Sequence, residues 1–286
     1  MLGLFDTGHG GLTVVQSLQK RLPGLPFVYF GDHANAPYGG LNSKEILRLT
    51  RIGVEALFNQ GCRLVVLACN TATAYAARPL QQDWLPSSSY KNHNVLGIIA
   101  PTVEAATQTP WAVTTPQVPQ ALNEDTIAVF GTAGTIQSGV YDIEIRKRCP
   151  KVRVFSEICP HLAGAIEAGE SDAVLEDQVK AVVENLLRQV PNPSSAILGC
   201  THYPLVEGFF RKYLPPATAL LSQSEAVAAS LSDYIARHPH YIKGDAPQTS
   251  RFLTSGDVAK VCAGAARFLK REIAFETLSP SPLGEG

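Results

Sequence analysis

The chain contains, twice, a short apolar run that ends in a cysteine and continues at once with small hydrogen-bonding side chains. The first is Leu64-Val65-Val66-Leu67-Ala68-Cys69-Asn70-Thr71; the second is Ala196-Ile197-Leu198-Gly199-Cys200-Thr201-His202. Runs this short and this apolar, bounded by turn-forming residues, read as strands buried in a parallel sheet. Parallel sheets take ligands beyond the carboxyl ends of their strands. A thiol placed there twice, in like surroundings, points to one site with a sulfur on each side.

The rest of the chain alternates in the same way. Strands are expected near 2–6, 27–31, 63–69, 95–99, 126–131, 152–156, 195–199 and 219–221. Helices are expected near 11–21, 43–59, 71–83, 135–148, 160–169, 172–190, 222–237 and 256–272. Strand-helix alternation predicts an α/β fold of parallel sheets flanked by helices. A weak repeat divides it. Phe5-Asp6-Thr7-Gly8 and Phe130-Gly131-Thr132-Ala133 each close an apolar strand and open a helix, and each precedes one cysteine strand. Two pseudo-symmetric α/β lobes facing each other would set Cys69 and Cys200 across one cleft. The segment 107–123, with its three prolines, is expected to be a surface loop or insertion, and the Pro/Ser/Gly-rich tail 278–286 to be disordered.

Composition excludes several classes. A formal charge of −1 over 286 residues, with no basic block, advertises no nucleic acid or other polyanion. No run of about 18 apolar residues predicts a membrane span. The first residues, Met1-Leu2-Gly3-Leu4-Phe5-Asp6, read as a strand rather than a signal peptide, so a cytoplasmic location is expected. Without a leader, the six cysteines are expected to be reduced thiols, and with no Cys-x-x-Cys pair no metal ligands are assigned. Cys62, Cys149, Cys159 and Cys262 read as small buried hydrophobes.

The first turn, Asp6-Thr7-Gly8-His9-Gly10-Gly11, brings backbone N–H groups to a helix start, which suits an anion. Thr13 stands where a dinucleotide fingerprint needs glycine, and Asp6 would repel a phosphate. A ligand with both charges fits better: an ammonium on Asp6, a carboxylate on N–H groups and hydroxyls. Alternatively, Asp6 or Thr7 only caps the helix. Asn70, Thr71 and Thr201 can hold a carboxylate without adding charge. His202, two residues after Cys200, can shuttle protons or simply be a satisfied histidine at a strand end. Two thiols facing one carbon suit two-base proton transfer: one removes a proton from one face, the other delivers one to the opposite face. A reference thiol pKa of about 8.5 makes both forms accessible near neutrality.

Several motifs, in order, carry a resemblance: FDTGHGG (5–11), YFGDHANAPYG (29–39), ACNTATA (68–74), GTAGTIQSGVY (131–141), ICPHLAGAIEAGE (158–170), LGCTHYPL (198–205) and RFLTSGD (251–257). The chain resembles glutamate racemase, of the cofactor-independent aspartate/glutamate racemase superfamily. The resemblance implies interconversion of L- and D-glutamate by a cysteine pair, without pyridoxal phosphate or metal, supplying D-glutamate for peptidoglycan. It implies Cys69 and Cys200 as acid and base, assisted by Asp6 and His202. It implies substrate contacts from Thr7, Pro37, Tyr38, Gly39, Asn70, Thr71 and Thr201, with Thr132 and Glu167 in further matching motifs. It also implies two lobes, 1–98 with 208–286 and 99–207, and a homodimer. The sequence departs from the family pattern at Thr7, His9, Asn35 and Ala133 and in the length of 107–123. Aspartate, one methylene shorter, is the neighbouring substrate. Decarboxylation or cis–trans isomerisation of a small diacid, and a non-catalytic binding role, are further alternatives; the presence of both cysteines speaks against them.

Overall fold

The computed structural model describes residues 1–109, 125–242 and 249–278. Ten strands are present among the described residues, in chain order β1 (Leu2–Asp6), β2 (Phe27–Gly31), β3 (Leu64–Leu67), β4 (Asn94–Gly97), β5 (Thr126–Gly131), β6 (Arg153–Ile158), β7 (Ser195–Gly199), β8 (Ala219–Ser222), β9 (Arg251–Thr254) and β10 (Glu276–Thr277). They form two separate sheets. One has the order β10-β9-β2-β1-β3-β4, the other β6-β5-β7-β8. Every pairing is parallel.

The order gives the weak sequence repeat a physical meaning. In β2-β1-β3-β4 the first strand of the unit is central, the second lies on one side, and the third and fourth lie on the other. In β6-β5-β7-β8 the same arrangement recurs. Each unit reverses direction between its first and third strands, the switch point at which an open α/β sheet binds ligands. The strands are apolar because both faces are covered: β1, β2 and β5 are buried at every position. One core joins Leu4, Tyr29 and Val66 of the first sheet to Phe130, Leu198 and Phe210 of the second half. Separate cores cover the outer faces, around Phe5, Val65 and Leu67 and around Ile127, Val129 and Ile197.

Several expectations need correction. β9 and β10 were not foreseen, nor were the helices Ile99–Thr107 and Glu207–Tyr213. The single helix expected over 135–148 is two, Ala133–Gln137 and Val140–Arg148, because Gly139 sits between them at φ +67, a conformation that no helix continues through. The expected strand 63–69 ends at Leu67, and Cys69 is already the N-cap of the helix Asn70–Pro79. β8, beyond the expected 99–207 segment, hydrogen-bonds to β7 in the second sheet. The helix after it, Gln223–Arg237, packs along the helix Leu12–Arg21 of the first half, where Ser224 donates to Thr13 Oγ1 and Ser17 to Glu225. Residues 110–123 of the expected loop and 279–286 of the expected tail lie outside the described residues. No helix among the described residues is long and apolar enough to cross a membrane.

Candidate active site

The chain leaves β1 at Asp6 and β3 at Leu67, neighbouring strands of the first sheet. Their carboxyl ends therefore bring Asp6, Thr7 and Cys69 together. Cys69 is 8% exposed. Its sulfur accepts from the Ala72 N–H at 3.5 Å, in the first turn of the helix it caps, and lies 3.7 Å from Thr7 Oγ1. Burial pushes the Cys69 thiol up to about 12, and the nearby Asp6 charge adds to the shift; the Ala72 N–H and Thr7 work against them. Cys69 therefore rests as a thiol.

Asp6 divides its work between its two oxygens. Oδ2 accepts from the Gly11 N–H at 2.8 Å, from the Gly8 N–H at 3.3 Å and from the Tyr29 hydroxyl at 3.3 Å. The helix-capping alternative is therefore real, because Gly11 is the N-cap of Leu12–Arg21. Oδ1 is buried without a hydrogen-bond partner. A lone pair left bare in a buried site costs about 1–3 kcal/mol unless a ligand or water meets it. Burial raises the Asp6 pKa, and the charge of His202 and the Gly11 N–H pull it back.

The second sheet repeats the layout. β5 and β7 are neighbours, and their ends carry Thr132 and Cys200. Cys200 is 6% exposed, and His202 Nδ1 lies 3.7 Å from its sulfur. His202 Nε2 faces Glu167 Oε2 at 2.6 Å, while Glu167 Oε1 is bonded to His9 Nδ1. Glu167 thus ties the first turn to the second cysteine loop. Burial alone would disfavour an imidazolium on His202. The hydrogen bonds and charges of Cys200 and Glu167 outweigh it and hold His202 well above the usual histidine range. Burial likewise opposes the Glu167 charge, and the two histidines overcome it and hold that carboxyl below the usual range.

The halves meet closely on this side. A Cβ on Gly10 would stand 2.5 Å from His202 Nδ1, and one on Gly8 would stand 3.0 Å from Glu167 Oε1. Only glycine admits the approach. On the other side, Thr71 Oγ1 lies 3.0 Å from Thr132 Oγ1 and 3.2 Å from Thr135 Oγ1, and Gly39 faces Thr132. Three hydroxyls converge there, an uncharged cradle for a carboxylate. Negative charge on Cys200 adds a minor push to the raised Cys69 pKa, behind burial and Asp6.

Several of the expected residues have polar groups already held by the fold. The Asn70 amide is anchored by the fold, with one Nδ2 N–H left over: Nδ2 donates to Gln223 Oε1 at 2.7 Å, and Oδ1 accepts from Tyr141 at 2.8 Å and from Gln223 at 3.0 Å. The Tyr38 hydroxyl donates to Asp32 at 2.6 Å. Pro37 is exposed, and Thr201 is buried with its backbone carbonyl accepting from Thr13. Gln223, Tyr141, Tyr29 and Thr135 were missed. Tyr29, Thr135 and Tyr141 lie within quoted motifs, but their contacts with Asp6, Thr71 and Asn70 are visible only in the fold, and nothing local marks Gln223. Asp32 sits within a quoted motif, but its hold on Tyr38 is visible only in three dimensions. Cys62, Cys149 and Cys159 are buried, as expected, and Cys262 is half-buried; all six cysteines are free.

No family model matches the chain. Individual proteins do. It is 48% identical to the glutamate racemase of Phenylobacterium zucineum, over 90% of this chain and 92% of that one. It is 43% identical to the glutamate racemase of Cereibacter sphaeroides, over 96% of this chain and 98% of that one. Among solved structures, a glutamate racemase isoform of Bacillus anthracis superposes with a TM-score of 0.82 at 31% identity, covering 98% of this chain and 97% of that one. The glutamate racemase of Francisella tularensis in complex with D-glutamate superposes with a TM-score of 0.81 at 27% identity, covering 97% of both. With identity above 40% along nearly the whole length of curated relatives, and with the same fold, the chain belongs to the glutamate racemase family.

Proposed function

We propose that the chain interconverts L- and D-glutamate by proton transfer between the substrate Cα and two sulfurs, Cys69 and Cys200. One observation carries the reading. Both cysteines follow the third strand of a repeated four-strand unit, so each half presents one buried, free sulfur at its switch point. Asp6 Oδ1 is the natural partner for the substrate ammonium. The hydroxyls of Thr71, Thr132 and Thr135, with N–H groups at the helix starts, receive a carboxylate. The two ends of the site differ in proton supply. Cys69 starts as a thiol and donates; Cys200 has the His202 imidazolium beside it, which places positive charge near the sulfur and relays protons to or from it. In the reverse direction the roles exchange. The lobe division belongs to the same proposal, with β8 counted in the second lobe, so that each lobe brings one cysteine. So do pairing as a homodimer, a cytoplasmic location and a supply of D-glutamate to peptidoglycan.

The test is exchange of the α-proton in deuterium oxide, followed by NMR, with L-Glu, D-Glu, L-Asp and D-Asp side by side. Exchange of both glutamate enantiomers with net racemisation is expected. Faster exchange of aspartate would move the assignment to the neighbouring substrate, and exchange of none would remove it.

A further inference from the structure

His9, His33 and Glu167 lie together beside the first turn. One nitrogen from each imidazole and one carboxylate oxygen lie within 4.8 Å of one another. The rings are 4.4 Å apart between centroids. The three residues come from three places: the turn after β1, the segment after β2, and the helix Leu162–Ala168. Thr254, at the end of β9, completes the surroundings.

The hydrogen bonds dictate which nitrogens are free. His9 Nε2 lies 2.8 Å from the Val261 carbonyl, which can only accept, so Nε2 carries the proton. In the neutral ring this leaves the Nδ1 lone pair turned toward the Glu167 carboxylate, where two acceptors would oppose each other. A cation between them, either a proton or a metal ion, removes the conflict. In His33, Nδ1 is held by the Gly31 carbonyl at 3.0 Å and Thr254 Oγ1 at 2.9 Å, and Nε2 is buried with no hydrogen-bond partner. Each imidazole therefore fixes one N–H on a backbone carbonyl and offers its other nitrogen, the arrangement that orients histidine ligands around a metal.

We propose that His9 Nδ1, His33 Nε2 and Glu167 form a binding site for a divalent transition-metal ion of the zinc class. Two imidazoles and a carboxylate suit zinc, cobalt, nickel and copper, and exclude a preference for calcium or magnesium. Bonds of about 2.0–2.2 Å at tetrahedral angles set ligand atoms roughly 3.3–3.6 Å apart, so the hydrogen-bonded His9 Nδ1 and Glu167 Oε1 must part to admit the ion, which takes the place of the proton between them. No covalent or redox step is involved; the ion displaces at most a proton. The site is coupled to chemistry only through Glu167. A metal on Oε1 withdraws carboxylate charge from His202, whose Nε2 sits on Oε2, and through His202 it acts on Cys200. The binding claim stands alone; the inhibitory consequence rests on the assignment of Cys200 as an acid/base group.

The probe is Co²⁺, titrated into the full, reduced, chelator-stripped chain. One equivalent is expected to give visible ligand-field bands without the near-ultraviolet thiolate-to-cobalt charge transfer that cysteine ligation would produce. The signal is expected to persist in the Cys69→Ser/Cys200→Ser double variant. In His33→Gln and separately in His9→Gln the Kd is expected to rise about tenfold or more. Both variants are to be checked by circular dichroism and melting, so that a misfolded one is set aside and the other decides. Zn²⁺ is expected to displace the cobalt and to slow glutamate racemisation in the wild type. Thiolate charge transfer, binding unaffected in both histidine variants, or no binding at millimolar Co²⁺ overturns the site. Binding as described with undiminished racemisation leaves the site standing and refutes its coupling to Cys200.

Discussion

Replacing Glu167 by glutamine isolates the electrostatic tie between the two halves. Glutamine keeps the shape of the side chain and an oxygen that can accept from His202, but it removes the charge. The bond to His202 Nε2 is 2.6 Å long and is charge-assisted. Such bonds contribute about 1.5–3 kcal/mol, and 1.36 kcal/mol corresponds to one pKa unit. His202 in Glu167→Gln should therefore lose its proton about 1–2 units lower than in the wild type. The sign follows from the direction of the shift. The folded-state pKa of His202 is raised, so the stability it contributes is complete below the ordinary histidine value and is lost as pH rises through the folded value. The variant begins that loss at lower pH. Glu167 itself is held low, so its contribution is present above the ordinary carboxylate value and disappears in acid; the variant lacks that acid-side slope. For activity, the alkaline limb of kcat/KM for glutamate should move toward acid by about 1–2 units. Racemisation followed by circular dichroism from pH 6 to 10, alongside melting curves, reads both effects. An unmoved alkaline limb with kcat/KM within twofold of the wild type would refute the role given to the Glu167–His202 pair.

Cys69→Ser and Cys200→Ser should each lose net racemisation while one enantiomer still exchanges its α-proton in deuterium oxide; full racemisation by either single variant contradicts the two-sulfur reading. Asp6→Asn should lower kcat/KM on the order of 100-fold. Because the Asp6 pKa is raised by burial, the stability linked to it is present below the ordinary carboxylate value and lost as pH rises through the folded value, so removing the charge at pH 7 should leave the melting temperature within a few degrees. Normal turnover with a much lower melting temperature would make Asp6 a cap only. Gly10→Ala places a methyl 2.5 Å from His202 Nδ1 and should cost about 1–3 kcal/mol together with most activity; wild-type melting and turnover would show that the loops are not held at that distance.

What the sequence made legible was what is written along one strand. β1, β3, β5 and β7 are apolar because both faces are covered, so each run announces a buried strand and its end announces a switch-point residue. Asp6, Cys69, Thr132 and Cys200 could be singled out on that basis. β9 and β10 were invisible because they are short and lie toward one edge: Arg251-Phe252-Leu253-Thr254 has only two apolar residues, and Glu276-Thr277 has none. The helix Ile99–Thr107 was masked by Pro101, which its first turn tolerates.

The cross-links between the halves lie beyond any local pattern. Gln223 is 153 residues from Asn70, yet their amides pair reciprocally and Tyr141 joins them, so the orientation of the Asn70 side chain is set by partners that no local pattern reveals. His9 stands out in the sequence only as a departure from the family pattern within a glycine turn. It becomes intelligible only once Glu167 and the Val261 carbonyl, 158 and 252 residues away, are seen to occupy its two nitrogens. A parallel sheet brings strand ends together whatever the distance along the chain. It follows that the individual groups of such a site can be read from sequence, whereas the protonation and charge that govern them are set by pairings that only the fold creates.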